Sequence, residues 1–261
     1  EFVFGDWSSD VCSSDLVTLR DDIYFSDGVK ITTDDILFTY QTVMNPKIDA
    51  PQQRNYYNKI KQVKKIDDRV VIFEFEEPYW KSIEIVGLFE VLPEHIYKFE
   101  DAMEFNTRRS DPVGSGPYVF EKWDVGDKIV LKRNENYWGD KRPRLDKIVY
   151  RFITNDLAGL QALRSHEVDM TIPTPDMFAD ISKEPGFTDK FYALDYWNPG
   201  IPYFFIGWNE KREFFQDKRV RLAMTCMTDR QAVVDSLLKG YADIVTGPFY
   251  IYGPQNDPEI K

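Results

Sequence analysis

The sequence predicts an α/β fold, because strand-like and helix-like patterns alternate along the chain. Residues 147–153 and 168–172 are short runs with strand character, and residues 157–165 between them carry apolar side chains at helical spacing. A strand, a helix and a second strand joined by short connections favour parallel pairing, in which the carboxyl ends of the strands face a ligand cleft.

An aromatic hairpin is predicted ahead of that unit. Tyr118 and Phe120 alternate with other residues before a turn at Gly126, and Ile129 and Leu131 alternate after it. Two antiparallel strands are therefore expected there.

The hairpin follows a Gly-Ser-Gly-Pro passage at residues 114–117. Glycine removes the β-carbon and proline fixes φ, so the passage predicts a tight backbone path that a side chain at Gly114 or Gly116 would obstruct.

Turn and capping signals define the beginning of the chain. A strand, an Asp27-Gly28 turn and a helix are predicted, with Thr32 and Asp35 at the spacing of a capping box. Asp67-Asp68 is predicted to turn between two further alternating strands.

Two helices are predicted near the carboxyl end of the sequence. Asp217 is the expected cap of the first, and Thr228 with Gln231 is the expected cap of the second, which ends at Gly240. Arg219 and Arg221 are assigned to helix packing and to charge pairing with Asp217 rather than to a ligand carboxylate.

Four separated motifs occur in one order along the chain: LRDDIYFSDGVKITTDDILFTYQTVMNP, DPVGSGPYVFEKWDVGDKIVLKRNENYWG, LDKIVYRFITNDLAGLQALRSHEVDMT and FFQDKRVRLAMTCMTDRQAVVDSLLKGYA. This ordered set resembles the extracellular solute-binding proteins of ABC importers, in the cluster that includes dipeptide- and oligopeptide-binding proteins. The resemblance implies an α/β, periplasmic-binding-protein-like two-lobed fold of the cluster C type with an extra middle lobe. It also implies a receptor that closes on a small molecule and performs no catalysis.

The resemblance divides the chain into segments. Residues 17–106 correspond to part of the smaller middle lobe, residues 107–203 to part of the main α/β lobe, and residues 204–261 to the hinge crossing and the start of a second large lobe. Family members are about twice as long, so we expect a fragment truncated at both ends. A cleft needs both lobes, so we expect this chain alone to bind its ligand poorly.

Residues 1–16 have a different origin. The stretch DWSSDVCSSDL at residues 6–16 matches the translation of a common short-read sequencing adapter, which indicates that residues 1–16 are not native. A polar, serine- and aspartate-rich segment without an evolved partner is predicted to have no stable packed structure, so Trp7 and Cys12 are expected to lie unpacked.

Composition excludes several classes of function. The formal net charge is −11, or −7 without the four acids of residues 1–16, and an acidic chain is a poor partner for nucleic acid or anionic membranes. No run of 18 apolar residues predicts a membrane span. Outside residues 1–16, Cys226 is the only cysteine and, beside Met224 and Met227, is expected in a helix core.

Catalytic chemistry has little support. His95, placed in a strand or loop terminus, and His166, placed at a helix-to-strand turn, are far apart in sequence, and no nucleophile, phosphate-loop or metal motif occurs. We therefore predict no catalytic residue, metal site or cofactor.

The strongest candidate ligand contacts lie in the aromatic segment at residues 202–209. In an extended chain Tyr203 and Phe205 share one face, and Phe204 and Ile206 share the other. The resemblance places the first pair towards the cleft and the second pair in the core. Burial of both faces remains an equal alternative.

Weaker candidates occupy two loops. Ile172, Pro173 and Thr174 follow the predicted strand at residues 168–172, where α/β clefts bind ligands. Trp197 and Asn198 lie in the turn before the aromatic segment.

The resemblance implies a substrate-binding component of an ABC importer, which captures a small ligand, with a peptide favoured, and delivers it to permease transmembrane subunits. The expected location is periplasmic or extracellular, with a lipid anchor left open. A sensing or chaperone-like binding protein of the same fold, and an α/β hydrolase, remain as alternatives.

Overall fold

The computed structural model describes residues 3–4, 14–79, 81–108, 112–195, 203–245, 247 and 251. The chain divides into two compact units, residues 1–152 and residues 153–261. The three lobe segments expected from the resemblance remain a prediction. Within the described ranges, no helix is both long enough and apolar enough to cross a bilayer.

The first unit contains a four-stranded antiparallel sheet in the order β1-β2-β4-β3. Its strands are β1 (Val3–Phe4), β2 (Ser14–Thr18), β3 (Ile60–Lys65) and β4 (Val70–Phe75). The predicted turn at Asp67-Asp68 is confirmed, and the Asp67 carboxylate accepts hydrogen bonds from the backbone amides of Arg69 and Val70, each at 2.8 Å. A side chain that caps its own turn fixes the register of the two strands that follow from it.

The amino-terminal segment departs from prediction in both of its described stretches. Val3 and Phe4 form β1 and pair with Thr18 and Val17 of β2. Ser14, Asp15 and Leu16 lie in β2 and pair with residues 72–74 of β4, so the expectation that all of residues 1–16 lack packed structure is wrong there. Backbone pairing needs only an amide and a carbonyl at each position, and β4 supplies both whatever the side chains of β2. Trp7 and Cys12 lie outside the described residues.

Five helices accompany this sheet. They are α1 (Thr33–Met44), α2 (Pro51–Tyr57), α3 (Ser82–Gly87), α4 (Glu94–Tyr97) and α5 (Ala102–Thr107). The predicted capping box is confirmed, because the Asp35 carboxylate accepts from the Thr32 backbone amide at 2.9 Å. Asp35 also accepts from the Glu94 amide at 3.0 Å, which ties the start of α4 to the start of α1.

The carboxyl end of α1 is closed by Arg54 of α2. Its guanidinium donates to the backbone carbonyls of Val43 at 3.0 Å, Asn45 at 2.9 Å and Ile48 at 2.6 Å. The last carbonyls of a helix have no partner within the helix, so Arg54 supplies a donor to Val43. The carbonyls of Asn45 and Ile48, just beyond the helix, also accept from the backbone amides of Ile48 and Ala50.

The sheet and its helices enclose one apolar core. Phe73 and Val71 of β4 are completely buried, and the Phe73 ring meets the Phe89 ring edge-on with centroids 5.5 Å apart. Phe89 also stacks on Tyr57 at 4.8 Å. The buried members are Val17, Leu19, Ile23, Phe25, Ile31, Ile36, Val43, Tyr57, Ile60, Val71, Phe73, Phe75, Ile85, Val86 and Phe89.

The aromatic hairpin is confirmed and gains a third strand. The sheet contains β5 (Tyr118–Asp124), β6 (Lys128–Arg133) and β7 (Lys147–Arg151), all antiparallel, with β6 in the centre. Gly126 has a φ of 80°, a conformation that favours glycine and explains its place in the turn.

The Gly-Ser-Gly-Pro passage forms for a different reason from the predicted one. A β-carbon built on Gly114 or Gly116 meets nothing within 4 Å, and neither residue has a positive φ. The predicted steric obstruction is therefore wrong.

The second unit is helical in its described parts. Its helices are α6 (Asp156–Arg164), α7 (Pro175–Ile181), α8 (Glu213–Gln216), α9 (Lys218–Cys226) and α10 (Arg230–Ala232), and a π-helical segment, Val233–Leu237, continues α10. A small buried cluster consists of Leu160 of α6, Ile181 at the end of α7 and Phe187 after α7. The predicted helix at residues 157–165 is confirmed as α6.

The predicted strand at residues 168–172 does not form, and among the described residues every strand pair is antiparallel. A strand exists only where a neighbour accepts and donates its backbone hydrogen bonds. Residues 168–172 have apolar side chains of the right kind but form no ladder with a described strand, so the expected parallel pairing is wrong here.

The two carboxyl-terminal caps were predicted with partial success. Asp217 accepts from the Arg219 amide at 2.8 Å and caps α9 as expected. Asp229, not Thr228, caps α10, because its carboxylate accepts from the Ala232 amide at 2.9 Å. The Thr228 hydroxyl instead donates to the carbonyl of Met224.

Cys226 is exposed, and the expected core position for it is wrong. Met227 beside it is 78% exposed. None of the residues of α9 is buried, so in this chain the helix is defined by its cap and its backbone bonds rather than by a packed face.

Candidate functional site

The aromatic segment brings Tyr203 and Phe205 together. Their ring centroids lie 5.5 Å apart with an interplanar angle of 37°, as expected for side chains two residues apart on one side of an extended chain. Both rings reach solvent, Tyr203 at 42% and Phe205 at 74% exposure. The pair therefore presents an apolar surface with one phenol hydroxyl.

The other side of the segment is not packed in this chain. Phe204 is 93% exposed and Ile206 is 61% exposed, so the prediction that they point into a core is wrong here. Residues 203–209 form no ladder with a described strand, so within the described residues no paired strand covers this side of the segment.

The end of the segment is fixed by Arg221, which sequence reasoning assigned to a different partner. Trp208 stacks on Phe215 at 5.2 Å, and the Arg221 guanidinium donates to the carbonyls of Phe215 and Gln216 at 2.7 and 2.9 Å. Arg221 forms its ion pair with Glu210 at 3.2 Å. The charge pairing with Asp217 is made by Arg219, whose guanidinium lies 2.7 Å from that carboxylate.

The second candidate loop is open to solvent at its first residue. Ile172 is 85% exposed, Pro173 is partly buried, and the Thr174 hydroxyl accepts from the Met177 amide at 3.4 Å as the cap of α7. Within the described residues, no hydrogen bond or ring contact joins this loop to Tyr203 or Phe205. Trp197 and Asn198 lie outside the described residues.

Two surface hollows occur away from these candidates. One of about 580 Å³ lies on the three-stranded sheet over Val130 and Val149, ringed by lysine side chains. The other, of about 390 Å³, lies beside α6, where the His166 ring stacks on Phe191 with centroids 5.7 Å apart. Neither hollow includes a predicted ligand contact.

The local contacts of the two histidines indicate structural roles. His95 lies in α4, not in a strand or loop terminus as expected, and its Nε2 is 2.7 Å from the Asp27 carboxylate. Burial acts to raise the pKa of Asp27, but hydrogen bonds from His95 and from the Val29 amide outweigh it and hold that pKa below its ordinary value. His166 has a φ of 58° in the turn after α6.

Metal chemistry has no visible support in the described part of the chain, where no three histidine, cysteine, aspartate or glutamate side chains cluster to hold an ion. The candidate surface is instead apolar and aromatic, a composition typical of ligand pockets.

Comparison with known families identifies the architecture. The family described as bacterial extracellular solute-binding proteins, family 5 Middle, matches residues 14–261. The chain belongs to this family. The match begins at residue 14, so it includes the three residues of β2 that were assigned to the non-native segment.

Individual binding proteins are also similar to this chain. The oligopeptide-binding protein AppA of Bacillus subtilis is 30% identical over 240 residues, which cover 89% of this chain. The structure of the oligopeptide-binding protein AppA from B. subtilis in complex with a nonapeptide has a TM-score of 0.73 at 27% identity over 92% of this chain. The structure of the binding protein AgaA with agropinic acid, from A. tumefaciens R10, has a TM-score of 0.72 at 25% identity over 89% of this chain.

These similarities confirm the predicted fold class, the α/β fold of two-lobed periplasmic binding proteins. The chain spans less than half the length of these relatives: 42% of the B. subtilis sequence, 46% of the nonapeptide complex and 45% of AgaA. The relatives are named as binding proteins rather than enzymes.

Proposed function

We propose that this protein is the substrate-binding component of an ABC importer, which captures a small ligand by closing its lobes and delivers it to permease transmembrane subunits. The observation that carries the proposal is the family 5 match over residues 14–261. Closure would shift the population towards a form that the permease recognises. Such a component acts outside the cytoplasmic membrane, in the periplasm or at the cell surface, where a lipid anchor would retain it.

A peptide is the favoured ligand. The B. subtilis oligopeptide-binding relative is 30% identical to this chain, and the aligned nonapeptide complex is 27% identical. The agropinic acid complex at 25% identity makes a small non-peptide ligand the natural competitor in a test.

Tyr203 and Phe205 are the proposed ligand contacts, supported by Ile172–Thr174, Trp197 and Asn198. Two neighbouring rings on one side of an extended chain offer apolar area to varied side chains, while backbone amides and carbonyls provide directed hydrogen bonds. The 5.5 Å separation of the Tyr203 and Phe205 rings supports a common contact surface.

Titration calorimetry on the protein at the length of its relatives tests this proposal. The probes are synthetic tripeptides, pentapeptides and nonapeptides, with agropinic acid as the non-peptide arm. We expect peptide binding that Tyr203→Ala weakens by about 1–2 kcal/mol, since one ring face is desolvated on closure.

Tyr192→Ala is the matched control, because Tyr192 is 94% exposed and lies outside the proposed contacts. Equal losses from Tyr203→Ala and Tyr192→Ala would contradict the site. Binding of agropinic acid without binding of any peptide would contradict the ligand class while leaving the capture role intact.

A further inference from the structure

The Gly-Ser-Gly-Pro passage, residues 114–117, is held by its carbonyl groups. Four consecutive carbonyl oxygens each accept a hydrogen bond. The first accepts from the Ser26 amide at 2.8 Å, the second from Trp138 Nε1 at 3.0 Å, and the third and fourth from the side-chain and backbone nitrogens of Asn134 at 3.0 and 2.9 Å. We call these residues the strap.

The two glycines of the strap depend on these hydrogen bonds for their conformation, whereas the ring of Pro117 fixes its own φ. Both of its glycines have room for a side chain and ordinary φ values, so neither steric need nor backbone geometry fixes their conformation. Glycine-rich segments are flexible by default because the backbone has many accessible states. The four hydrogen bonds therefore select one conformation for the glycines of the strap.

The donors on one side are themselves firmly placed. Asn134 is 5% exposed, and its side-chain oxygen accepts from the Asn136 amide at 3.1 Å, so both ends of its amide are engaged. Trp138 packs against the core of the four-stranded sheet, and the Arg20 guanidinium lies 5.4 Å from its ring centroid. Removing the hydrogen-bond partner of a buried side chain such as that of Asn134 lowers the stability of the folded state.

The donors belong to segments that are attached to different sheets. Ser26 follows Phe25, a core residue of the four-stranded sheet that is 2% exposed, and it belongs to the turn closed by the Tyr24–Lys30 bridge. Asn134 directly follows β6, the central strand of the three-stranded sheet. One short segment therefore bonds to a turn beside the core of the four-stranded sheet and to the residue that follows the central strand of the other sheet.

We propose that the strap is a locked joint, in which Asn134 and Trp138 fix the two sheets of residues 1–152 so that they move as one body. The strap transmits any displacement of one sheet to the other, and bending during ligand capture occurs outside residues 114–117. The proposed role of the strap does not depend on whether the ligand is a peptide.

Pulsed electron spin resonance measures this coupling directly. Spin labels are attached at Lys61→Cys on β3 and Val125→Cys in the hairpin turn, both exposed positions, in a Cys12→Ser, Cys226→Ser background. Trp138→Phe keeps an aromatic ring but removes the donor. We expect it to widen the distance distribution roughly twofold, because freed glycines sample many conformations.

Trp123→Phe is the matched control, since Trp123 is a 43% exposed tryptophan on β5 of the three-stranded sheet, and it is expected to leave the distribution unchanged. Asn134→Ala removes the side-chain bond and should widen the distribution too. If this variant fails to fold, as shown by circular dichroism, Trp138→Phe alone decides. An unchanged width in folded Trp138→Phe would overturn the joint.

Discussion

The two units of the chain use their apolar residues differently. Fifteen buried side chains form a single core around the four-stranded sheet, whereas the buried cluster of the second unit has three members among the described residues. Apolar side chains are not scarce in the second unit, but many face solvent. Those more than 70% exposed are Met170, Ile172, Tyr192, Leu194, Phe204, Phe205 and Met227.

The difference shows that helix formation and burial are separate requirements. α9 has a well-formed aspartate cap and no buried residue, while α1 has both a capping box and buried Ile36 and Val43. Capping chemistry acts between neighbours in sequence, whereas burial needs a partner surface. Exposed apolar area as extensive as that of the second unit is typical of surfaces that meet another element or molecule.

The prediction with the largest expected effect compares the free energy of unfolding of one variant in each unit. Phe73→Ala removes a completely buried ring from the first core and should lower the free energy of unfolding by about 3–5 kcal/mol. Phe204→Ala, at a ring that is 93% exposed, should change it by less than about 0.5 kcal/mol.

Urea unfolding followed by far-ultraviolet circular dichroism gives both values. Comparable losses of unfolding free energy in the two variants would contradict this comparison, because they would mean that Phe204 is as well packed as Phe73. A Phe73→Leu variant controls for ring loss and should be the milder of the two changes at that position.

A smaller change in the free energy of unfolding is expected at the carboxyl end of α1, where Arg54 donates to backbone carbonyls. Arg54→Ala leaves the carbonyls of Val43, Asn45 and Ile48 without their shared donor and should cost about 1–3 kcal/mol of unfolding free energy. Arg54→Lys keeps the charge but has one donor nitrogen, so it should recover only part of the loss.

Thermal melting and amide hydrogen exchange at the end of α1 measure this prediction. Gln53→Ala, at an exposed neighbouring position on α2, is the control and should have little effect. Full stability in Arg54→Ala would show that water replaces the guanidinium at no cost.

Local signals in the sequence predicted local structure well. Gly126 predicted the hairpin turn and Thr32 with Asp35 predicted the start of α1, since both depend on residues that are close in sequence. The predicted cap at Thr228 was wrong because Asp229, the next residue, is also of a type that caps helices.

Long-range features were predicted less well. The strand at residues 168–172 needs a partner that periodicity cannot name, and the inward packing of Phe204 needs a covering surface. For the candidate site, alternation correctly placed Tyr203 and Phe205 on one side, but it could not indicate which side is covered. Whether they contact a ligand remains a prediction.

The smallest effect concerns the first residues of β2. Asp15 lies on the same face of the strand as fully buried Val17, while Leu16 is 49% exposed on the opposite face, which inverts the usual pattern of a half-buried strand. Asp15 Oδ2 is buried without a hydrogen-bond partner. Asp15→Val should therefore raise the free energy of unfolding by about 1 kcal/mol at pH 7.

This gain should depend on pH. Burial raises the pKa of Asp15, although a hydrogen bond from Ser82 acts in the opposite direction. The folded chain thus holds this proton more readily than the unfolded chain, so acidification stabilises the wild type as pH falls through the raised pKa to below 3.8. The difference between Asp15→Val and the wild type, measured by urea unfolding, should narrow over that range.

Ser14→Val, at an exposed position of the same strand, is the control and should show neither the gain nor its pH dependence. A loss of stability in Asp15→Val would show that the carboxylate belongs in this sheet. A gain would support the view that the segment ending at Leu16 did not evolve with β4.

The edge strand β3 bears on how the protein behaves at high concentration. It has the sequence IKQVKK and forms one margin of the four-stranded sheet, with Lys61 and Lys64 exposed along it. An unpaired strand margin is a template for intermolecular sheet growth, and closely spaced like charges oppose the approach of a second identical margin. Lys61 therefore opposes edge-to-edge aggregation, whereas the charge of Lys64 is partly balanced by its ion pair with Glu74 of β4. High salt would weaken the effect of Lys61 by screening.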